Sequence, residues 1–230
     1  MDTEAIIHDW VRDFVVALNL CPFAAGPLRR GQVAILTNPT DDVELAFNWA
    51  VTQAQRLLTI PASETETILL VYPAALPEFP TFLDFVATFE DTLAATGADA
   101  LLQLAHFHPD YVFADAAPDD PANRTNRSPF PVVQLLRADA LEKAIAAYGN
   151  TEAIWRRNVA VMRGEGSLGG PPGGKPDARR STGIAGDAPR SWSTRPPKGP
   201  RSIPAPSAKD LGASPRPARW TSECPPPSVP

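Results

Sequence analysis

Residues 67–72 read Thr-Ile-Leu-Leu-Val-Tyr and are stopped by Pro73. A half-exposed strand alternates apolar and polar side chains, whereas a run this short and this continuously apolar suits a strand covered on both faces. Its neighbours therefore decide the fold. Upstream, Asp41 with Glu44 three residues on forms a candidate capping box, and Val43, Phe47, Ala50 or Val51, Ala54 and Leu57 mark one face of a helix. Before that helix, Gln32–Thr37 is strand-like.

Downstream, Phe82, Phe85/Val86, Phe89 and Leu93 predict a helix closed near Gly97, followed by a strand over Ala100–His108. Pro109 biases His108 towards an extended backbone. After a polar loop, Pro131–Leu136 reads as a shorter fourth strand, and two helices follow, Asp139–Tyr148 with Gly149 as its stop and Thr151–Met162. At the N-terminus, Ile6, Trp10, Phe14 and Leu18 recur every four residues after an Asp2/Thr3 cap, and Asn19 suits the left-handed position that ends a helix. Strands alternating with helices predict an α/β fold: one domain with a small, mostly parallel sheet and helices packed on it. A ferredoxin-like α+β sheet is the alternative.

Composition divides the chain after residue 163. Residues 1–163 carry 11 Lys and Arg against 21 Asp and Glu, while residues 164–230 carry 10 against 5 and hold 15 of the 27 prolines. The first part is expected to be the α/β domain. The second, with too few aliphatic side chains to offset the entropy of ordering it, is expected to be a disordered low-complexity tail. Its abrupt Pro/Arg/Gly/Ser bias is also what a frameshifted or miscalled end would produce.

The acidic body argues against a nucleic-acid function for the domain, and the basic tail offers at most non-specific contact. No apolar run approaches 18 residues, and the acidic N-terminus lacks the basic region of a signal peptide. Cys21 and Cys224 have no spacing that suggests a disulfide framework. A cytoplasmic protein without membrane contact is expected; neither a cofactor nor an oligomeric state can be read.

Three clusters could carry chemistry. In Leu20-Cys-Pro-Phe-Ala-Ala-Gly26, Cys21 before Pro22 could cap a short helix whose dipole favours thiolate. It also follows the end of the first helix, where the dipole acts the other way unless Arg29 and Arg30 compensate. Otherwise it is a small buried apolar residue in a turn. In His106-Phe-His108-Pro-Asp110, alternate strand residues share a face, so both imidazoles could ligate one ion. Asp110 could join them only if Pro109 does not turn the chain. The alternative is hydrogen-bonded imidazoles at the sheet edge. In Asp119–Pro131, Arg124 or Arg127 could hold a carboxylate or phosphate, with Asn123, Asn126 and Ser128 meeting its other oxygens. The same loop could instead be an ordered connection, with Asn and Asp making turns and Arg127 paired to Asp119 or Asp120. No phosphate-binding glycine loop, GxSxG or HExxH occurs.

With LCPFA at 20–24, FHPDYVF at 107–113 and NRTNRSPFPVVQLLR at 123–137, the stretch from Trp10 to Met162 resembles an uncharacterised bacterial family catalogued as domain of unknown function 1415. The resemblance implies that Cys21, His108, Tyr111, Asn123, Asn126, Arg127, Ser128 and Arg137 fall on motif positions, and it supplies no activity. Such proteins read HLLRE where this one has Gln134 and Ala138. His106 lies outside the motif, and so does everything after residue 163.

The leading expectation is a small protein with a polar Cys/His/Arg pocket, acting as a cysteine-dependent enzyme on a small anionic substrate. Cys21 would be the nucleophile or redox thiol, His108 the acid/base, with Tyr111 beside it, and Arg127 the anchor; Asn123, Asn126, Ser128 and Arg137 would complete the binding set. Against it stand a non-catalytic ligand-binding or interaction protein and, third, a metal-binding protein using His106, His108 and Asp110.

Overall fold

A computed structural model of the chain describes residues 2–114, 116–149 and 152–164. The expected tail, with its frameshift reading, lies outside the described residues apart from Gly164.

The first helix, α1 (Thr3–Trp10), is capped by Asp2, whose Oδ1 accepts the N–H groups of Glu4 at 3.1 Å and Ala5 at 3.3 Å. It runs on as a π-helical segment, Val11–Val16, and the chain leaves through Asn19 at φ 52°, the left-handed position expected of it. A turn over residues 20–24 leads into α2 (Ala25–Arg29) and then β1 (Val33–Thr37). Helix α3 (Val43–Thr59) is capped by Asp42 rather than Asp41, with Glu44 and Leu45 N–H donating to it at 2.8 and 3.0 Å. After β2 (Thr67–Val71) comes α4 (Phe79–Thr96), ended by Gly97 at φ 71°, where a side chain would strain the backbone. The chain closes with β3 (Leu102–Phe107), β4 (Val132–Arg137), α5 (Ala138–Tyr148) and α6 (Glu152–Met162).

The four strands lie in the order β1-β2-β4-β3. Strand β1 runs parallel to β2, Val33 opposite Thr67. Strand β4 runs antiparallel to both neighbours, with Val132 opposite Val71 on one side and Phe107 on the other. The sheet is therefore mixed, which corrects the expectation of a mostly parallel one. The reason is the connection: residues 108–131 join β3 to β4 without a crossover helix, so the chain reverses before pairing. The ferredoxin-like alternative also fails in element order, because here a helix separates each of the first three strands and none lies between the last two.

Every residue of Thr67–Val71 is buried. Ile68, Leu70 and Tyr72 face α3 and α4 in a cluster that includes Ala50, Leu57, Phe82, Phe85, Phe89 and Leu135. Leu69 and Val71 face the other way, onto Ile7 and Val11 of the N-terminal helix. Each fully buried Phe or Leu contributes roughly 1.5–3 kcal/mol relative to exposure. Continuous apolarity thus reported coverage on both faces correctly, but coverage says nothing about strand direction.

Two arginines satisfy carbonyls that helices leave open. Arg137, at the end of β4, donates from Nη2 to Leu57 O at 2.8 Å and to Ile60 O, and from Nε to Thr65 O at 3.2 Å, closing the C-terminus of α3. Arg157 of α6 donates to Leu18 O at 2.9 Å and Asn19 O at 2.8 Å, and Asn158 donates to Leu20 O at 2.7 Å. Among the described residues no helix is long and apolar enough to cross a membrane.

Candidate functional site

The C-terminal ends of β1, β2 and β3 share one edge of the sheet with the 108–131 segment, the place where parallel-strand proteins commonly hold ligands. Pro109 does turn the chain: Tyr111 N–H donates to His108 O at 3.2 Å, and Asp110 leaves the strand alternation for solvent. His106 and His108 do share the face towards α4. Phe82 lies against both, with ring centroids at 5.9 and 5.1 Å, and Phe79 stacks on His108 at 5.3 Å. Tyr111 completes the group against Phe79 at 5.0 Å, His106 at 5.6 Å and Phe113 at 5.0 Å.

This apolar box holds its imidazoles neutral. Burial pushes His106 down to about 4. It also lowers His108, outweighing the backbone at Leu76, the Asp110 carboxylate and the backbone at Pro77, which act the other way. The His108 ring is fully buried, with Nε2 3.2 Å from Leu76 O and Nδ1 accepting the Asp110 N–H at 3.0 Å. A carbonyl on one side and an N–H on the other fix the Nε2–H tautomer. With both nitrogens engaged and Asp110 turned outward, the His106/His108/Asp110 metal reading loses its geometry. Among the described residues no group of three or more His, Cys, Asp or Glu is arranged to hold an ion.

The rest of the segment is tied together by its own polar side chains. Asn123 is fully buried; its Oδ1 accepts Phe113 N–H at 3.0 Å and its Nδ2 donates to Ala117 O at 2.8 Å and Pro118 O at 3.3 Å. Asn126 donates to His106 O at 3.3 Å, while its carbonyl accepts His108 N–H at 3.1 Å. Arg127 donates from Nε to Tyr111 O at 3.1 Å and from Nη2 to Pro118 O at 3.0 Å, so it pairs with carbonyls rather than with Asp119 or Asp120. Ser128 donates to Phe130 O. Asp120 caps the short 3-10 turn Pro121–Thr125 by accepting Ala122 N–H at 2.9 Å. Long connections without regular structure are uncommon in compact domains, and in this one the backbone groups of Tyr111, Phe113, Ala117, Pro118 and Phe130 are answered from within the segment.

Cys21 does not cap a helix. Residues 21–24 form a turn, with Ala24 N–H on Cys21 O at 3.2 Å, and α2 begins only at Ala25. Although the residue is partly exposed, burial of the thiol raises its pKa, outweighing the Phe23 and Ala24 N–H groups that act in the opposite sense. Arg30 cannot compensate, since it binds Glu66 at 2.7 Å and Gln32. Helix α6 nevertheless connects this turn to the 108–131 segment. Asn158 holds Leu20 O and Arg163 holds Asp120, five residues and so about 7.5 Å apart along the helix. Arg137 lies at the opposite end of the sheet from His108, on the α3 carbonyls, and does not join the others.

Sequence reasoning missed Asn158 and Arg163, and it offered Asp120 to Arg127 where the partner is Arg163. Asp120 before Pro121 is a cap-and-first-turn signature that could have located the 3-10 turn. Asn158, four residues after the buried Ile154 and itself buried, marks a polar break in an apolar stripe.

A family model described as "Protein of unknown function (DUF1415)" matches residues 2–169. The chain belongs to this family. The match is wider than the resemblance traced from Trp10 to Met162: it takes in all of α1 and runs on to residue 169, which corrects the expectation that everything after residue 163 lies outside the family. Comparisons with curated proteins and with solved structures returned no match. At the two positions where this DUF1415 member departs from HLLRE, Gln134 donates to Thr67 Oγ1 at 2.9 Å across the sheet, and Ala138 opens α5 with its N–H on Leu101 O at 2.9 Å.

Proposed function

We propose that this domain is a non-catalytic ligand-binding or interaction module whose working surface is the 108–131 segment. The observation that carries this reading is how the candidate groups are used: His108, Asn123, Asn126, Arg127 and Ser128 all direct their polar atoms at backbone groups of the segment or its immediate neighbours. A catalytic acid/base needs a nitrogen that can meet a reacting proton, and both His108 nitrogens are engaged. The ligand would be a small anion held where Arg124 is exposed and Arg127 partly so. Specific nucleic acid is disfavoured by the acidic body. With one free cysteine among the described residues, a reducing cytoplasm is the compartment we assign.

The test is a thermal-shift series with inorganic phosphate, sulfate and citrate on the full chain and on Arg124→Ala. A dose-dependent rise in melting temperature that the variant abolishes supports an anion site. No shift with any anion, or equal shifts in both proteins, rejects it.

The second reading, a cysteine-dependent enzyme using Cys21, His108 and Tyr111, draws on one observation: α6 brackets the Cys21 turn and the 108–131 segment together. Iodoacetamide modification of a Cys224→Ser variant at pH 7 tests it. A Cys21 rate no faster than that of free cysteine rules against a nucleophile, and a rate tenfold above free cysteine overturns our preference.

A further inference from the structure

The His108 ring bridges two segments through both of its nitrogens. One is the connection between β2 and α4, which offers Leu76 O to Nε2; the other is the turn leaving β3, which offers Asp110 N–H to Nδ1. Both partners are backbone, and their polarities are opposite, so only a neutral imidazole satisfies the pair. A second ring proton would place N–H against N–H at Nδ1 and abolish that bond.

More than one bond depends on this turn. Tyr111, three residues on, packs its ring among Phe79, His106 and Phe113, and its carbonyl anchors Arg127 Nε. The backbone N–H of His108 itself holds Asn126 O. The turn therefore fastens residues 108–113 and 126–127 to each other and to the sheet edge.

We propose that His108 is an acid-sensitive latch: protonation at Nδ1 expels the Asp110 N–H, unfastens the 108–111 turn, and releases the 108–131 segment from its aromatic seat while the sheet stays folded. This inference does not depend on the function proposed above. The surroundings of the ring are defined. Among the described residues, α4 sets the rings of Phe79 and Phe82 against it; the β2–α4 connection brings the backbones of Leu76 and Pro77; β3 brings the imidazole of His106 across Phe82; and the turn itself brings Tyr111 and the carboxylate of Asp110. Asp110 is the one charged group among these, and it is exposed to solvent. Its attraction favours the protonated ring, but burial is the larger influence and keeps the latch closed at neutral pH.

The experiment is hydrogen–deuterium exchange of the full chain between pH 7.5 and 4.5, corrected for intrinsic exchange rates and read on peptides spanning 108–131 and on β2. His108→Asn is run in parallel, because its amide oxygen can still accept the Asp110 N–H but does not titrate. In the wild type, segment protection should fall about tenfold per pH unit below a single midpoint, the slope of one proton, while Thr67–Val71 stays protected. In His108→Asn the segment-specific fall should disappear, leaving only the pH dependence that His106 contributes to the whole fold, which is read on Thr67–Val71 as well. Proton NMR of the imidazoles in the wild type provides a readout that survives if the variant does not fold: His108 must titrate with the same midpoint as segment release. The proposal is overturned by segment protection that persists to pH 4.5, by simultaneous loss of β2 protection, by unchanged pH dependence in His108→Asn, or by a His108 titration that leaves the segment protected.

Discussion

Arg163, at the residue after α6, holds Asp120 43 positions earlier, with Nε on Oδ1 at 3.1 Å and Nη2 on Oδ2 at 2.5 Å. The same carboxylate caps the 3-10 turn, so one side chain both starts the turn and ties it to the last described helix. Its pKa is held below the ordinary carboxylate value, first by the Arg163 hydrogen bond and then by the Ala122 N–H. A carboxyl depressed in the folded state stabilises above its unfolded pKa and loses that contribution as pH falls through the folded one. Asp120→Ala should therefore lower the urea midpoint at pH 7 more than Asp120→Asn, which keeps a cap acceptor. In strong acid the wild type should fall towards Asp120→Asn, because a neutral carboxyl keeps the cap acceptor and loses only its charge pairing with Arg163.

Asn123 makes three hydrogen bonds from a fully buried site. Removing them in Asn123→Ala strands two carbonyls and an N–H, which costs roughly 2–3 kcal/mol. Asn123→Asp should do no better, because a carboxylate can accept from Phe113 but cannot donate to Ala117 or Pro118. Urea denaturation of the three proteins checks this, with either variant at wild-type stability counting against the bonding described.

Arg137 acts on stability and not on a ligand. Arg137→Lys replaces a planar fork shared among Leu57, Ile60 and Thr65 carbonyls with a single ammonium, and should cost about 1–2 kcal/mol. Any anion affinity measured on the intact protein should survive in this variant at temperatures where it remains folded.

Tyr72 ends the central apolar stretch with its ring against Trp49 at 5.9 Å and Phe85 at 5.3 Å. Its buried hydroxyl has no hydrogen-bond partner among the described residues, and burial holds it protonated at any ordinary pH. Tyr72→Phe removes a desolvated oxygen and keeps the packing, so stability should hold or rise by up to about 1 kcal/mol. A loss beyond 1 kcal/mol would indicate a hidden partner.

His106, almost wholly buried, is lowered to about 4 from an unfolded value of 6.5. Between these two values the unfolded chain binds the extra proton, so stability falls as pH drops from about 6.5 to about 4 and this group contributes no further change below that. The full span corresponds to roughly 3 kcal/mol. Chemical denaturation of wild type and His106→Phe across this range should show the variant with the flatter pH dependence.

The sequence was informative wherever a local rule acts alone. Asp2 and Asn19 mark the ends of the N-terminal helical region, Gly97 stops α4, and the apolar runs sit on their strands within two residues. Direction in the sheet was not legible, because pairing depends on how the 108–131 connection returns and not on the strands it joins. The chemistry was misread for a related reason. Cys, His, Asn and Arg in polar stretches look the same whether they face a ligand or a neighbouring carbonyl, and only the hydrogen-bond partners of His108, Asn123 and Arg127 separate the two. Arg137 was grouped with the others by its motif, yet it serves the far end of α3.

Among the described residues strand β3 has a single neighbour, β4, which lies between it and β2. During synthesis β1 and β2 can pair as soon as both have been made, but β3 cannot begin to pair until Val132 has been added, and its ladder is complete only with Arg137. At roughly 5–20 residues per second, the 30 residues between the end of β3 and the end of β4 take a few seconds. For most of that interval Leu102 and Leu104 sit on an unpaired strand, so the nascent chain presents a sticky segment to holdase chaperones, and to other nascent chains, before its own sheet can close.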